Sequence, residues 1–250
     1  MLPDFCIRLA IGLLGCLLLL SPIQSARPAP GTRPLVSANF FRTMFLVALG
    51  LCVGAGLWLW PDLPTSLLVC LICASILTLA GSVTWSLERS PAGVSLIVAS
   101  VGVLITACYL RDPASLVGGL SAAALLGAAT GSMLLGHNDL ITPTMSMTPL
   151  FRMLAALAIA LVLRAGVDGF ALIRWTSGHS MANLNGDLSL WLPVRWAVGL
   201  VAPAVLCWMA WQTARIRSTQ SATGILYVVV IFCFLGELTG QLVRRDGLTF

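Results

Sequence analysis

Four ionisable residues and one amide in the last third of the chain could form a chemical site. Arg164 and Asp168 lie four residues apart within one apolar stretch, so both side chains lie on the same face of a helix. Arg195 follows in the next apolar stretch, and Glu237 and Gln241, also four residues apart, lie in the last one. Charged residues within apolar segments are uncommon, and they mark candidate functional sites.

Two arginines and two carboxylates can neutralise one another, and this balance leaves two interpretations open. In the first, the four charges form a buried ion-pair network that fixes how the helices pack. In the second, they and Gln241 line a polar cavity that binds a ligand. A third possibility is that the sixth apolar segment ends early, which would leave Asp168 at the surface.

The other residues capable of chemistry predict neither a metal site nor a haem. His137 and His179, the two histidines, are expected on opposite faces of the membrane, so they cannot ligate one haem together. Cys70 and Cys73 form a CxxC pattern, but it lies inside an apolar stretch with no second pair or histidine nearby. We therefore expect no covalently bound cofactor and no metal.

A polar loop follows Trp175 and contains His179, Asn183 and Asn185. It would cap the half of the membrane in which the charged residues are expected. Two interpretations apply: the loop is solvated and has no specific role, or it is a lid over a binding pocket.

The composition determines which elements must position these residues. Of the 250 residues, 58% are hydrophobic and 9% are charged, whereas roughly a quarter of a soluble chain is charged. The sequence therefore predicts an all-α, polytopic transmembrane helical bundle without a soluble domain, forming one integral membrane domain over residues 1–250. The predicted spans are about 5–21, 40–60, 64–86, 92–110, 115–136, 149–174, 189–212 and 221–243.

The 14 basic residues are all arginines, and they are scattered among short loops. This pattern indicates membrane topology, not nucleic-acid binding. The face expected to be cytoplasmic carries Arg27, Arg33, Arg42, Arg89, Arg152, Arg215 and Arg217. The opposite face carries Arg8, Arg111, Arg174, Arg244 and Arg245. Seven arginines against five predict a multi-pass protein of the cell membrane with both termini exterior, on the periplasmic side.

The first apolar stretch has an alternative interpretation as a cleaved signal peptide. Ser25 and Ala26 lie near a plausible cleavage point, but Gln24 is a poor residue for the third position before it. Cleavage would also place the arginine-rich face outside. We therefore expect a retained helix.

Pairs of glycines four residues apart predict close helix packing. They occur at Gly50 and Gly54 in the second span, at Gly127 and Gly131 in the fifth and at Gly236 and Gly240 in the eighth. Small residues at this spacing let helix backbones approach one another in lipid. The contacts could lie within this chain or with a partner subunit.

The stretch Leu235-Gly236-Glu237-Leu238-Thr239-Gly240-Gln241 resembles the last helix of the dimethyl-sulfoxide-reductase membrane-anchor family. This resemblance implies eight helices, exterior termini and a quinol-interacting subunit of a respiratory complex. The family usually has an arginine directly after the second glycine, where this chain has Gln241.

These observations predict an integral membrane subunit of a respiratory or electron-transfer complex. It would be a non-catalytic anchor that interacts with quinone, surrounded by membrane lipid and other membrane subunits. Two alternatives remain: a transporter for a small anionic solute, with Arg164 and Arg195 as the counter-charges, and a purely structural or assembly protein.

Overall fold

The structure, a computed structural model, describes residues 1–25, 36–60, 63–87, 90–141, 146–178 and 186–245. All regular elements in these ranges are helical. The helices are α1 (Leu2–Ser25), α2 (Ala38–Leu59), α3 (Thr65–Ser86), α4 (Ser90–Arg111), α5 (Leu116–Ile141), α6 (Thr148–Gly178), α7 (Gly186–Trp196), α8 (Ala202–Arg215) and α9 (Thr219–Arg245). A short 3₁₀ turn (Pro113–Ser115) precedes α5, and a π-helical turn (Ala197–Val201) joins α7 to α8.

Eight helical segments are long and apolar enough to cross a membrane, with α7, the π-helical turn and α8 together forming the seventh. The described residues contain no separate soluble domain. The predicted all-α transmembrane bundle is therefore confirmed. The spans are longer than predicted at several ends. Prediction from hydropathy excludes the polar residues at the ends of a helix, although these residues still have helical backbone. The first helix begins at Leu2 and not at residue 5, so it includes Asp4.

The first and fifth spans form the centre of the bundle and are the most deeply buried of the eight. Helix α1 packs against α2, α4 and α5, and its Phe5 and Arg8 side chains contact Phe234 and Glu237 of α9. It crosses α5 where Gly12 meets Gly127, and at this point the two backbones are in contact.

The seventh span changes its hydrogen-bonding pattern where α7 meets α8. Pro203 has no N–H group, so it cannot donate to the carbonyl four residues earlier, at Gly199. The chain forms one π-helical turn over Ala197–Val201 at this point. In this turn, Gly199 lies directly against the backbone of Gly236 on α9.

The N-terminal end of α1 and the C-terminal ends of α4 and α9 lie at the same end of the bundle. Asp4 on α1 is paired with Arg111 on α4, and Arg244 on α9 lies 3.7 Å from Asp112. The face predicted to be exterior thus gathers charged residues from three helices. Arg8 was predicted to be one of the arginines at that face that determine the topology. Its side chain is instead buried, in the second turn of α1.

The crossing of α1 and α5 leads to a stability prediction. A Cβ atom at Gly127 would overlap the backbone of Gly12, so Gly127→Ala must push the two central helices apart. We expect this substitution to lower the free energy of unfolding by about 1–3 kcal/mol, as overpacking typically does. Thermal unfolding of the purified protein in detergent measures the effect.

Gly54→Ala is the matched control, because no atom lies within 4 Å of the Cβ position at Gly54. Its melting temperature should be equal to that of the wild type or slightly higher, since alanine favours helix over glycine. Equal melting temperatures for the two variants would contradict the close crossing.

Candidate functional site

Five buried charged side chains form a continuous row across four spans. In order of contact they are Arg8, Glu237, Arg164, Asp168 and Arg195, and we call them the charge row. Each is at most 5% exposed. Cations and anions alternate along the row, so every carboxylate lies between two arginines.

The carboxylate of Glu237 on α9 contacts three polar side chains from three parts of the bundle. Arg8 Nη1 of α1 donates a hydrogen bond to Glu237 Oε1, and Arg164 Nη2 of α6 lies 3.5 Å from Glu237 Oε2. Gln241 Nε2, one turn further along α9, donates to Glu237 Oε1 at 3.2 Å. Glu237 therefore links the first, sixth and last spans.

Arg164 connects this centre to the rest of the row. Its Nη1 donates to the carbonyl oxygen of Gly118 at 2.7 Å and to Ser121 Oγ at 3.0 Å, both on α5. Its Nε lies 3.3 Å from Asp168 Oδ1. The four-residue spacing that the sequence showed thus becomes an ion pair on one face of α6.

Arg195 closes the row at the last turn of α7. Its Nε and Nη2 both donate to Asp168 Oδ2, at 3.1 and 2.6 Å, and its Nη1 donates to the carbonyl oxygen of Gly236. All the donor nitrogens of this guanidinium therefore have partners.

Three glycines surround the Arg195 guanidinium. Cβ atoms at Gly199, Gly236 and Gly240 would lie 3.1, 3.2 and 3.3 Å from its nearest atoms. The absence of these side chains creates the space in which the guanidinium lies. The Gly236 and Gly240 pair thus packs within this chain, against the seventh span.

A cavity of about 360 Å³ lies between α1, α4 and α9 at the end of the bundle where the row begins. We call it the terminal cavity. It is lined by Met1, Asp4, Arg8, Arg111, Asp112, Gln241 and Arg244. Arg8 belongs both to this wall and to the charge row, so it connects the cavity to the buried charges.

The other charged residues of the cavity wall form ion pairs across helices. Arg111 pairs with Asp4 through its Nε and Nη2, with Nη2 at 3.4 Å from Asp4 Oδ2. Arg244 Nη1 lies 3.7 Å from Asp112 Oδ2. Asp112 therefore pairs with one arginine of the wall, whereas Asp4 pairs with Arg111 and also with the N-terminal ammonium of Met1, at 3.4 Å.

The residues predicted from sequence fall into three groups. Arg164, Asp168, Arg195 and Glu237 meet in the row, and Gln241 both contacts Glu237 and lines the cavity. Asp168 is fully buried, so the possibility that the sixth span ends before it is wrong. His179, Asn183 and Asn185, the predicted lid, lie outside the described residues.

Sequence reasoning missed the part of the site that belongs to α1 and α4. It counted Arg8 and Arg111 only as topology signals, and it did not consider Asp4 or Asp112. One signal was present: Asp4 and Arg8 are four residues apart, so they share a face of the first helix.

No group of three or more histidines, cysteines or carboxylates is arranged to hold a metal ion within the described ranges. His137 lies near the end of α5, where its Nδ1 is 3.5 Å from the Tyr227 hydroxyl oxygen. The chemistry available at the terminal cavity is therefore that of guanidinium, carboxylate and amide groups.

Comparison with known proteins identifies no relative. No protein-family model matches the chain, and no curated protein and no solved structure shows significant similarity to it. Function is therefore inferred from the geometry of the site.

The position of Glu237 between two arginines predicts a large stability effect. Glu237→Gln removes the carboxylate that Arg8 and Arg164 share, leaving both cations without it in the bundle interior. Breaking a buried pair from one side costs about 3–5 kcal/mol. We expect a loss of this size in the free energy of unfolding, measured by denaturant or thermal unfolding in detergent.

Asp112→Asn provides the control, because it makes the same chemical change at a side chain that is 48% exposed and 3.7 Å from its arginine. An exposed pair contributes less than about 1 kcal/mol. If the two variants lost equal stability, Glu237 would not be the centre of the buried charges.

Proposed function

We propose that this integral membrane protein binds a small anionic solute in the terminal cavity. The observation that carries the proposal is the position of Arg8. This arginine lines the cavity and is the first member of a charge row that contains three arginines but two carboxylates.

The charge imbalance supports an anion as the ligand. The row itself has one arginine more than its carboxylates, and the N-terminal ammonium of Met1 adds a further positive charge to the cavity wall, where Asp4 pairs with both Arg111 and this ammonium. An uncompensated charge is costly in an apolar environment. An anion next to Arg8 would reduce that cost.

The shape and position of the cavity also support this proposal. Its volume of about 360 Å³ is within the range of small-molecule sites. It lies at the end of the bundle, so a water-soluble anion could enter without crossing the hydrocarbon core. Guanidinium groups bind carboxylate and phosphate oxygens through charge-assisted hydrogen bonds. Transport of the bound solute, as in the transporter alternative, would require a further step beyond binding.

A second candidate is the quinone-interacting membrane subunit that the last helix suggests. One observation favours it: an apolar groove of about 400 Å³ lies among α1, α4, α5 and α6 and includes Leu163, next to Arg164 in the chain. An isoprenoid tail would suit such a groove. The polar, arginine-rich character of the terminal cavity favours the anion.

Isothermal titration calorimetry on the purified protein tests the proposal with acetate, chloride and sulfate as probes. We expect saturable binding of at least one of them. Arg8→Gln should weaken it about tenfold or more, because a hydrogen bond to a charged group contributes about 1.5–3 kcal/mol. Arg111→Gln should also weaken binding, and it leaves the Arg8–Glu237 pair in place.

Arg174→Gln is the matched control, since Arg174 is exposed and lies outside the cavity wall. Its affinity should equal that of the wild type. The proposal would be wrong if no anion bound to the folded protein, or if both cavity variants bound as tightly as the control. Saturable binding of a short-tailed ubiquinone analogue without any anion binding would establish the second candidate instead.

A further inference from the structure

We infer that the ligand of the terminal cavity is a monocarboxylate whose carboxylate group is held by the Nε–Nη2 edge of Arg8. This inference rests on the proposed anion-binding function and specifies the class of anion. Its basis is a comparison of Arg8 with two other arginines of the same protein.

Arg111 and Arg195 present the same edge of the guanidinium to a carboxylate. Arg111 directs Nε and Nη2 to Asp4, and Arg195 directs Nε and Nη2 to Asp168. Arg8 instead uses Nη1 for Glu237, and its Nε has no hydrogen-bond partner in the part of the chain that the structure describes. Arg8 is 5% exposed, so the Nε atom of its carboxylate-binding edge is both buried and unpaired within the described residues.

Space for an acceptor exists beside this edge because α5 has a glycine there. A Cβ atom at Gly119 would lie 3.5 Å from Arg8 Nε and 3.8 Å from Arg8 Nη2, and 3.1 Å from Cys108 Sγ. A small cavity of about 20 Å³ is lined in part by Arg8 and Cys108, the two residues that a Cβ atom at Gly119 would contact. This volume is enough for one water-sized group, such as the carboxylate oxygen that would accept from Nε, and the second oxygen, at Nη2, would lie on the side of the terminal cavity, whose wall Arg8 also forms.

The body of the ligand would occupy the terminal cavity. The small and the large cavity share four wall residues, Asp4, Arg8, Arg111 and Asp112. A carboxylate at the Arg8 edge therefore points the remainder of its molecule into the volume of about 360 Å³.

The charge row favours a single negative charge on the ligand, because one anion balances its one excess arginine. Chloride could balance the charge, but it cannot use two parallel N–H donors as a planar carboxylate does.

Two sources could supply such a carboxylate: a short water-soluble acid, or a fatty acid whose head group lies at the membrane surface. Both present the same group to Arg8. Propionate and laurate, in separate titrations, distinguish the two sources, and binding of either supports carboxylate recognition.

The experiment titrates wild type, Gly119→Ala and Gly102→Ala with propionate, laurate, chloride and sulfate by calorimetry. Gly119→Ala keeps every charge and fills the space beside the Arg8 edge. Gly102→Ala is the matched control, because nothing lies within 4 Å of its Cβ position. We expect propionate or laurate to bind the wild type and the control about tenfold or more tightly than chloride or sulfate. Gly119→Ala should reduce carboxylate affinity about tenfold or more.

The results separate this inference from the proposed function. If chloride or sulfate bound as tightly as the carboxylates, or if Gly119→Ala bound carboxylate normally, the anion site would stand and the monocarboxylate inference would be wrong. If no anion bound at all, both would be wrong. Should Gly119→Ala not fold, Arg8→Lys provides the second test. It keeps the charge but has no planar edge, so the preference for carboxylate over chloride should disappear; a preserved preference would overturn the inference.

Discussion

A charged side chain within the hydrocarbon core of a membrane is stable only if its charge and its hydrogen-bonding groups have partners. Five such side chains form the charge row, and alternation of sign is the arrangement that gives each a partner. Glu237 serves Arg8 and Arg164, and Asp168 serves Arg164 and Arg195. The row therefore determines how the first, sixth, seventh and last spans are positioned relative to one another.

The backbone is adapted to this requirement. An arginine side chain can lie between two helices only where neighbouring side chains are absent, and Gly199, Gly236 and Gly240 provide that space for Arg195. The π-helical turn at Ala197–Val201 begins two residues after Arg195, and within it Gly199 lies against α9. On the other side of the bundle, the contact of Gly12 with Gly127 holds α1 close to α5, and α1 carries Arg8 to Glu237. The glycine contacts and the ion pairs thus support the same packing.

Much of this arrangement could be predicted from the sequence. Composition identifies a helical membrane bundle, since 9% charged residues cannot cover a soluble protein of this size. The number of residues between each charged residue and the end of its predicted span places Asp168, Arg195 and Glu237 at similar depth in the membrane. The contribution of Arg8 could not be predicted in this way, because an arginine near a span end normally extends to the interface. Its partner lies on the last helix, and hydropathy does not show which helices are neighbours.

The same limit applies to the terminal cavity and to the glycines. The cavity is formed by residues from three helices that are distant in sequence, and each of its arginines alone resembles an ordinary topology signal. A pair of glycines predicts close packing, but it does not show that the space will hold a guanidinium. Both features follow from three-dimensional packing, and neither has a local pattern that reveals it.

The central claim is that Arg8 and Glu237 interact directly and join the terminal cavity to the buried row. A double-mutant cycle tests it most directly, using unfolding free energies of the wild type, Arg8→Gln, Glu237→Gln and the double variant in detergent. Because the two side chains are in contact, we predict a coupling energy of about 1–3 kcal/mol, with the double variant losing less stability than the sum of the two single variants. Additive effects, with no coupling beyond about 0.5 kcal/mol, would contradict this account.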